Sequence, residues 1–301
     1  MGLSIHKIQK WINMLRGKSV YHVNQGVGKC YSKDVIKGYY NDLTEKVTRF
    51  GAEDDSIPKT VVDSGETVYF SIAIFQYGLG AYDVYLMNND QISRNRMLNC
   101  ADWAVENQQE NGSWITFPFE NQEHPYSSMA QAEGASLLIR AHKETKEDIY
   151  LESARKAIRF MLASVQDGGT TKYEGEDVFF YEYTYEPLIL NGWIFSIWGL
   201  YDYCKYTNDV EVQVVLDASL NSLKRKLPAF DIKYWSKYDE EKRICSPFYH
   251  KLHVAQLTVM HDLFGDDIYN EYAEKWESYQ NSTWNVRRAF VKKALQKIFF
   301  E

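Results

Sequence analysis

The sequence predicts a mainly α fold, an incomplete α/α toroid of about four helical hairpins, with a smaller N-terminal segment that contains short β pieces. Three observations lead to this prediction. A pair of helical segments recurs four times along the chain. In each pair the first segment is apolar nearly all round, and the second is amphipathic. The stretches between the pairs are long, polar and rich in aromatic residues.

The four predicted helix pairs account for most of the chain from residue 70 to residue 280. Each pair has two segments with helical periodicity, joined by a short polar break. The pairs are 70–88 with 91–108, 127–143 with 148–166, 191–206 with 209–226, and 250–263 with 267–280. Asp148 and Asp209 stand where helix N-caps are needed, which supports these boundaries.

The two members of a pair differ in polarity, and this predicts their places in the fold. A helix that is apolar all round must be buried, whereas a one-sided helix can cover it. The second helix of the second pair has apolar residues at helical spacing: Ala154, Ala157, Ile158, Met161, Leu162 and Val165. The pairs therefore predict inner helices ringed by outer helices.

The segments between the pairs, 112–127, 167–190 and 228–250, contain many aromatic and turn residues. In a toroid these segments collect at one end of the inner ring, and long ordered loops of this kind often carry the functional site. The run FFYEYTYE at 179–186 gathers phenols and carboxylates just before a buried helix. We interpret it either as tyrosines that pack their rings or as part of an acid/base site.

The two ends of the chain differ from the middle. We predict an amphipathic helix and an irregular or β segment in 1–60, a toroid domain in 61–284, and a basic amphipathic helix in 285–301. Residues 3–17 are also basic and amphipathic. Such ends suit contact with an anionic membrane surface, docking on their own domain, or docking on a partner subunit in a homodimer.

Composition limits the class of protein. The net charge of −7 argues against general nucleic-acid binding. Aromatic residues make up 15% of the chain, which suits both carbohydrate faces and ordinary core packing. The four cysteines are far apart in sequence and indicate neither a zinc site nor a disulfide framework. No signal peptide or membrane-spanning stretch is recognisable, so a cytoplasmic location is expected, at the inner face of the membrane if the basic ends bind lipid.

Four stretches resemble the C-terminal catalytic region of the glucuronyl 5-epimerase family. They are YFSIAIFQYGLGAY (69–82), PYSSMAQAEGASLLIRAH (125–142), EYTYEPLILNGWIFSIWGLYDY (182–203) and YHKLHVAQL (249–257). Each motif alone is weak, but the four occur in the family's order. The resemblance covers about residues 66–280, and it implies the α/α toroid and an enzyme that converts D-glucuronate to L-iduronate within heparan- or heparosan-type polysaccharides.

The resemblance also implies that the proton-transfer groups are tyrosines with a neighbouring glutamate, and that no organic cofactor is needed. The family's Glu-Tyr pair falls on Glu182 and Tyr183. Its next tyrosine falls on Tyr238, in LPAFDIKYWSKYD, and the tyrosine of its Tyr-His motif falls on Tyr249. Removing a proton beside a uronate carboxylate and returning one to the opposite face requires two such groups.

Further substrate-binding candidates are polar or aromatic residues in the matched stretches: Tyr126, Gln131, Arg140, Asn191, His250, His253 and Gln256. Most also have an ordinary structural interpretation. Arg140 suits either a carboxylate clamp or a helix end, Gln131 and Gln256 suit sugar hydroxyls or buried backbone, and Asn191 suits a helix cap. His250 and His253 have metal-ligand spacing but no third ligand, so we predict a polar or carboxylate-binding lining and no metal.

The chain departs from the family pattern at Thr184, where the family has proline, and the stretch before Leu190 is about two residues shorter. Tyr181 or Tyr185 could therefore take the place of Tyr183. Two other functions fit the same sequence. One is a polysaccharide lyase, which would remove the same proton and expel the substituent on carbon 4. The other is a non-catalytic glycan-binding module.

Overall fold

A computed structural model describes residues 23, 25–48, 55–62 and 65–299 of the chain, with side chains up to residue 296. The predicted amphipathic helix at 3–17 lies outside these residues. The chain divides into two compact units, a larger one of Gly28–Arg225 and a smaller one of Met1–Val27 with Lys226–Glu301. The boundaries predicted at residues 60 and 284 stay predictions.

Helices dominate the described residues. They are α1 (Thr44–Thr48), α2 (Ser71–Asn88), α3 (Gln91–Glu106), α4 (Ser128–Thr145), α5 (Asp148–Leu162), α6 (Leu190–Thr207), α7 (Val210–Lys226), α8 (Pro247–Phe264), α9 (Asp267–Asn281) and α10 (Thr283–Phe299). Two antiparallel hairpins accompany them: β1 (Thr60–Val61) with β2 (Thr67–Val68), and β3 (Thr171–Glu174) with β4 (Asp177–Phe180). The predicted mainly α fold with small β pieces is confirmed. None of the described helices is long and apolar enough to cross a membrane.

The four predicted helix pairs are α2–α3, α4–α5, α6–α7 and α8–α9, and all four are joined in the same way. The first linking residue has a positive φ: 54° at Asn89, 67° at Lys146, 57° at Asn208 and 74° at Gly265. This left-handed conformation ends the first helix. The second linking residue is the N-cap of the next helix. At Asp90 and Asp209 its carboxylate accepts hydrogen bonds from backbone N–H groups of that helix.

Asp209 is thus the cap that the sequence predicted, because its carboxylate accepts a 3.2 Å hydrogen bond from the N–H of Val212. The prediction for Asp148 is wrong by one position. Glu147 is the N-cap of α5, with no side-chain cap hydrogen bond, and Asp148 is the first helical residue. The Asp148 carboxylate instead lies 3.5 Å from the imidazole of His142.

Burial separates inner from outer helices in the larger unit. Every residue of α4 from Ser128 to Ala141 is buried, and α4 packs against both α2 and α6. The approach of α4 to α6 depends on Gly199, since a Cβ there would lie 2.4 Å from the carbonyl oxygen of Ala132. The paired helix α5 is amphipathic and buries one face, through Ala154, Ala157, Ile158 and Met161 among others.

Candidate active site

The Glu182–Tyr183 segment connects β4 to α6 in the larger unit. Its backbone is fixed on both sides of Tyr181, whose N–H donates to the carbonyl of Thr170 at 3.0 Å and whose carbonyl accepts from the N–H of Ser128 at 3.0 Å. The β3–β4 hairpin that leads into this segment was not predicted, because its short strands lie in a stretch rich in glycine and charge. The Glu182–Tyr183 segment is therefore positioned by the start of α4 and by the residues before β3.

Glu182 is buried, and its side chain lies against the first turn of α6. A Cβ at Gly192 would lie 2.4 Å from Oε2 of Glu182 and 2.7 Å from its Cβ, so only glycine leaves room for the glutamate. Both residues lie in the stretch 182–203 that resembles the family, and the structure brings its first residue against the start of its helix. Helix N-termini stabilise negative charge, so this location suits an ionised carboxylate.

Three tyrosines were candidates for the catalytic phenol of this segment. Tyr183 is half-buried, and its ring stacks on Phe117 with a centroid separation of 4.1 Å. Tyr185 is more exposed, and its hydroxyl donates to the carboxylate of Glu120 at 3.4 Å. Burial, and then the charge of Glu120, raises the pKa of Tyr185, which makes this phenol a poorer base near neutral pH. These contacts favour Tyr183 over Tyr185.

A buried carboxyl group that the sequence analysis missed interacts electrostatically with Glu182. Glu133 lies on α4 with no exposed surface, and its Oε1 accepts a 2.9 Å hydrogen bond from the amide of Gln76. Oε2 has no hydrogen-bond partner among the residues that the structure describes. Burial raises the pKa of Glu133 to about 8, Lys46 opposes this shift, and the charge of Glu182 adds to it. The signal was a glutamate inside an otherwise apolar inner helix.

Arg140 is committed to partners within the protein. The side chain is fully buried and forms a 2.6 Å salt bridge with Asp202 of α6. Its other donors reach the carbonyl oxygens of Lys37, Gly38 and Ser136 at 2.9–3.0 Å. It does not lie in the last turn of α4, so the helix-end interpretation is also wrong. Arg140 instead fixes the segment around residues 37–40 onto the inner helices.

Gln131 has one of its two predicted roles, whereas Asn191 is not the helix cap that was predicted. The Gln131 amide is committed to backbone groups, since Oε1 accepts from the N–H of Trp114 at 3.0 Å and Nε2 donates to the carbonyl of Gly112 at 2.9 Å. This is the structural one of its two interpretations. Asn191 is the second residue of α6 and not its cap, which is Ile189. Tyr126 is half-buried and packs edge-on against Phe160, which leaves it as a candidate for contact with a sugar.

The smaller unit contains the other two predicted catalytic tyrosines, and their rings lie together. Tyr238 and Tyr249 are both half-buried, with ring centroids 4.8 Å apart and planes tilted by 59°. Tyr249 is in the first turn of α8, where its N–H donates to the Ser246 hydroxyl at 3.4 Å. The rings of two tyrosines eleven residues apart in the sequence are therefore in contact.

Tyr238 is presented by a tight turn built around Asp239. The buried Asp239 carboxylate accepts hydrogen bonds from the N–H groups of Glu241, Lys242 and Arg243 at 2.8–3.0 Å, and it also pairs with the Arg243 side chain. The Arg243 guanidinium lies 5.4 Å from the centre of the Tyr238 ring. A cation so placed favours a negatively charged phenol, although Asp239 offsets part of its charge.

His250 and His253 are fully buried, and both contact Ser236, which precedes this turn. Nδ1 of His250 accepts from the N–H of Ser236 at 3.1 Å, so its Nε2–H donates to the carbonyl of Trp276 at 2.9 Å. Nδ1 of His253 lies 3.2 Å from the Ser236 hydroxyl. Burial lowers the pKa of His250 to about 4 and that of His253 to about 3. Both rings are therefore neutral near pH 7 and offer no positive charge to a carboxylate, whereas the alternative of a polar lining stays a prediction. Gln256 is buried one turn further along α8.

These two histidines predict a loss of stability in acid. Between pH 6.5 and about 4 the unfolded chain binds protons that the folded chain excludes, so the free energy of unfolding falls as the pH falls. Each histidine contributes up to about 1.4 kcal/mol per pH unit in that window. We expect His253→Asn to reduce this pH slope in urea unfolding, whereas His124→Asn, at an exposed site, leaves it unchanged. Equal slopes for His253→Asn and the wild type would contradict the assignment of a neutral His253.

Comparison with known proteins relates this geometry to a family. The family model for the D-glucuronyl C5-epimerase C-terminus matches residues 109–278, more than half of the chain. The D-glucuronyl C5-epimerase of Caenorhabditis elegans is 30% identical over 209 residues, 60% of this chain and 34% of that protein. An uncharacterized protein of Methanocaldococcus jannaschii is 30% identical over 155 residues, half of each chain. The chain thus spans between a third and a half of the length of these relatives.

Solved structures agree with the fold. An unsaturated glucuronyl hydrolase from Bacillus sp. GL1 superposes with a TM-score of 0.50 at 14% identity, over 80% of this chain and 66% of that one. An unsaturated glucuronyl hydrolase specific for heparin gives a TM-score of 0.50 at 12% identity, over 80% and 82%. At such identities the likeness concerns the fold alone, and it confirms the predicted α/α toroid class.

Proposed function

Because the chain belongs to the D-glucuronyl C5-epimerase family, we propose that it inverts carbon 5 of D-glucuronate residues to give L-iduronate. The proposed substrate is a heparosan-like polysaccharide or its precursor. Tyr183, Tyr238 and Tyr249 are the proposed proton-transfer groups, with Glu182 beside the first of them. The observation that carries this proposal is the contact between the rings of Tyr238 and Tyr249, two tyrosines that the family resemblance selected independently.

The proposed reaction needs no oxidant, reductant or second substrate. One group removes the proton from carbon 5, and the electron pair is delocalised onto the adjacent carboxylate. A second group then delivers a proton to the opposite face. A phenol has an ordinary pKa near 10, so keeping it ionised at pH 7 costs about 4 kcal/mol unless neighbours favour the phenolate. A phenol that donates a proton has no such cost.

The charge of the two interacting carboxyl groups, Glu133 and Glu182, also supports the proposal. Burial keeps Glu133 largely protonated near neutral pH, so Glu133 places little negative charge beside Glu182. Two nearby carboxyl groups with different protonation states are common where one group must accept a proton. We propose that Glu182 polarises or orients Tyr183, and that Glu133 preserves the charge of Glu182.

The experiment that tests the proposal is incubation of the protein with heparosan in deuterated water. We expect deuterium at carbon 5, new iduronate signals in the NMR spectrum, and an unchanged chain length on size-exclusion chromatography. Shorter chains with an ultraviolet-absorbing double bond would instead establish a lyase. Binding of heparosan without any exchange would establish a glycan-binding module, and either result would overturn the proposal.

A further inference from the structure

Helix α10 packs on the smaller unit through the face that carries Val286 and Ala289. Val286 and Ala289 pack with the apolar cluster that contains Tyr234, Trp235 and Ile244. The side chain of Gln296 adds two hydrogen bonds, since its Oε1 accepts from the N–H of Ile244 at 3.0 Å and its Nε2 donates to the carbonyl of Lys242 at 2.7 Å. These contacts define the attached face of the helix and leave the opposite face to be explained.

The opposite face carries a narrow apolar stripe. Trp284, Val291 and Leu295 are 73%, 55% and 48% exposed. At about 100° per residue, positions separated by seven and four residues lie within roughly 40° of one another around a helix. The three side chains therefore project from the same side of the helix.

Basic residues border this stripe on both sides. Arg287 lies on one side and Lys292 on the other, both exposed, whereas the guanidinium of Arg288 lies 3.8 Å from the centre of the Tyr234 ring. The sequence of α10 contains five basic residues and no acidic residue, although the whole chain has a net charge of −7. The acidic chain thus concentrates positive charge around its exposed apolar helix face, and this pattern complements an anionic surface.

A second copy of the chain fits this face poorly. A two-fold dimer would place the same stripe against itself and bring the bordering cations of both copies together without an acidic partner on α10. The stripe is also smaller than the roughly 800 Å² per subunit that stable interfaces bury. An apolar stripe with a tryptophan and flanking arginine and lysine is, by contrast, the arrangement of helices that lie in the plane of a bilayer interface.

We propose that α10 binds an anionic lipid surface, with Trp284, Val291 and Leu295 inserted among the acyl chains and Arg287 and Lys292 at the headgroup phosphates. The attached face remains packed on the smaller unit, so binding requires no unfolding. This interaction is independent of the proposed epimerase reaction. It gives the basic C-terminal helix a defined orientation and a specific set of contact residues.

The test is co-sedimentation of the full chain with vesicles of phosphatidylcholine alone or with phosphatidylglycerol added. We expect binding only to the anionic vesicles, weakened by salt. The double variant Arg287→Glu/Lys292→Glu should bind roughly thirtyfold more weakly or worse, because each cation near such a surface contributes about a fivefold factor. Trp284→Ser should weaken binding by about tenfold or more without a change in charge.

The matched control is Lys156→Glu/Arg159→Glu, which changes two exposed cations on α5 and gives the same net charge. It should bind within about twofold of the wild type, because the proposal concerns α10 and not the overall charge. Equal weakening by both double variants, or no binding of the wild type, would overturn the proposal. A shift from dimer to monomer on Trp284→Ser, measured by light scattering, would also overturn it in favour of a self-interface. Thermal unfolding checks that every variant is folded.

Discussion

Replacement of Tyr249 by phenylalanine should lower deuterium incorporation at carbon 5 by about 10²- to 10⁴-fold, the usual loss when one proton-transfer group is removed. The substitution keeps the ring that packs against Tyr238 and removes only the hydroxyl. Stability should therefore change little. The same loss is expected for Tyr183→Phe and Tyr238→Phe if each phenol takes part in proton transfer.

The three variants can be separated by following exchange from both epimers. In a reaction with two bases, each base removes the proton from only one epimer. A variant that loses exchange from glucuronate but keeps measurable wash-out from iduronate identifies the base for glucuronate, and the reverse identifies its partner. A phenol that serves only to bind or orient substrate should lower both exchange rates together.

Tyr173→Phe is the matched control for this series. The Tyr173 hydroxyl donates to the carbonyl of Leu162 at 2.8 Å on the exposed β3 strand. Loss of that hydroxyl should leave exchange within about twofold of the wild type, since surface hydrogen bonds contribute little. Unchanged exchange in the Tyr183, Tyr238 and Tyr249 variants would show that the site assignment is wrong, even if the wild type is an epimerase.

Replacement of Arg140 by methionine should lower the free energy of unfolding by about 3–5 kcal/mol. The substitution leaves the Asp202 carboxylate buried without its cation, with only the Tyr40 hydroxyl still donating to it at 2.6 Å. It also removes the donors to the carbonyl groups of Lys37, Gly38 and Ser136. Urea unfolding measures the loss.

The double variant Arg140→Met/Asp202→Leu provides the control for this prediction. It removes both buried charges, so we expect it to recover at least about 1 kcal/mol relative to Arg140→Met alone. A single variant that loses less than about 1 kcal/mol would contradict the structural role of Arg140. Full stability with lost substrate binding would restore its predicted role as a carboxylate clamp.

The helix pairs were predictable because helical periodicity is a local property of the sequence. Prediction was less accurate where one residue decides the outcome, as at Glu147 and Ile189, which take the cap positions expected for Asp148 and Asn191. Arg140 could not be assigned from sequence, since its partner Asp202 lies 62 residues away in the chain. The sequence alone does not distinguish an arginine that is buried in an ion pair from an arginine that binds substrate.

In the candidate site, too, some features were predictable from the sequence and others depended on the fold. Motif resemblance located Glu182, Tyr183, Tyr238 and Tyr249, but it could not state which neighbours set their charge. His250 and His253 are neutral because they are buried, with the His250 ring accepting a hydrogen bond from the backbone of Ser236. The spacing of the two histidines in the sequence does not reveal this burial. Glu133 was recognisable in principle, because a carboxyl group within a buried inner helix requires either a partner or a proton.

Every linker between the two members of a helix pair is only two residues long. Its first residue has a left-handed conformation, and its second residue precedes the first residue of the next helix. One inserted residue would rotate the following helix by about 100° and turn its hydrophilic side inward. The return segments at the other end have no such constraint on length. Relatives of this chain can therefore gain or lose residues there while the helical scaffold stays unaltered.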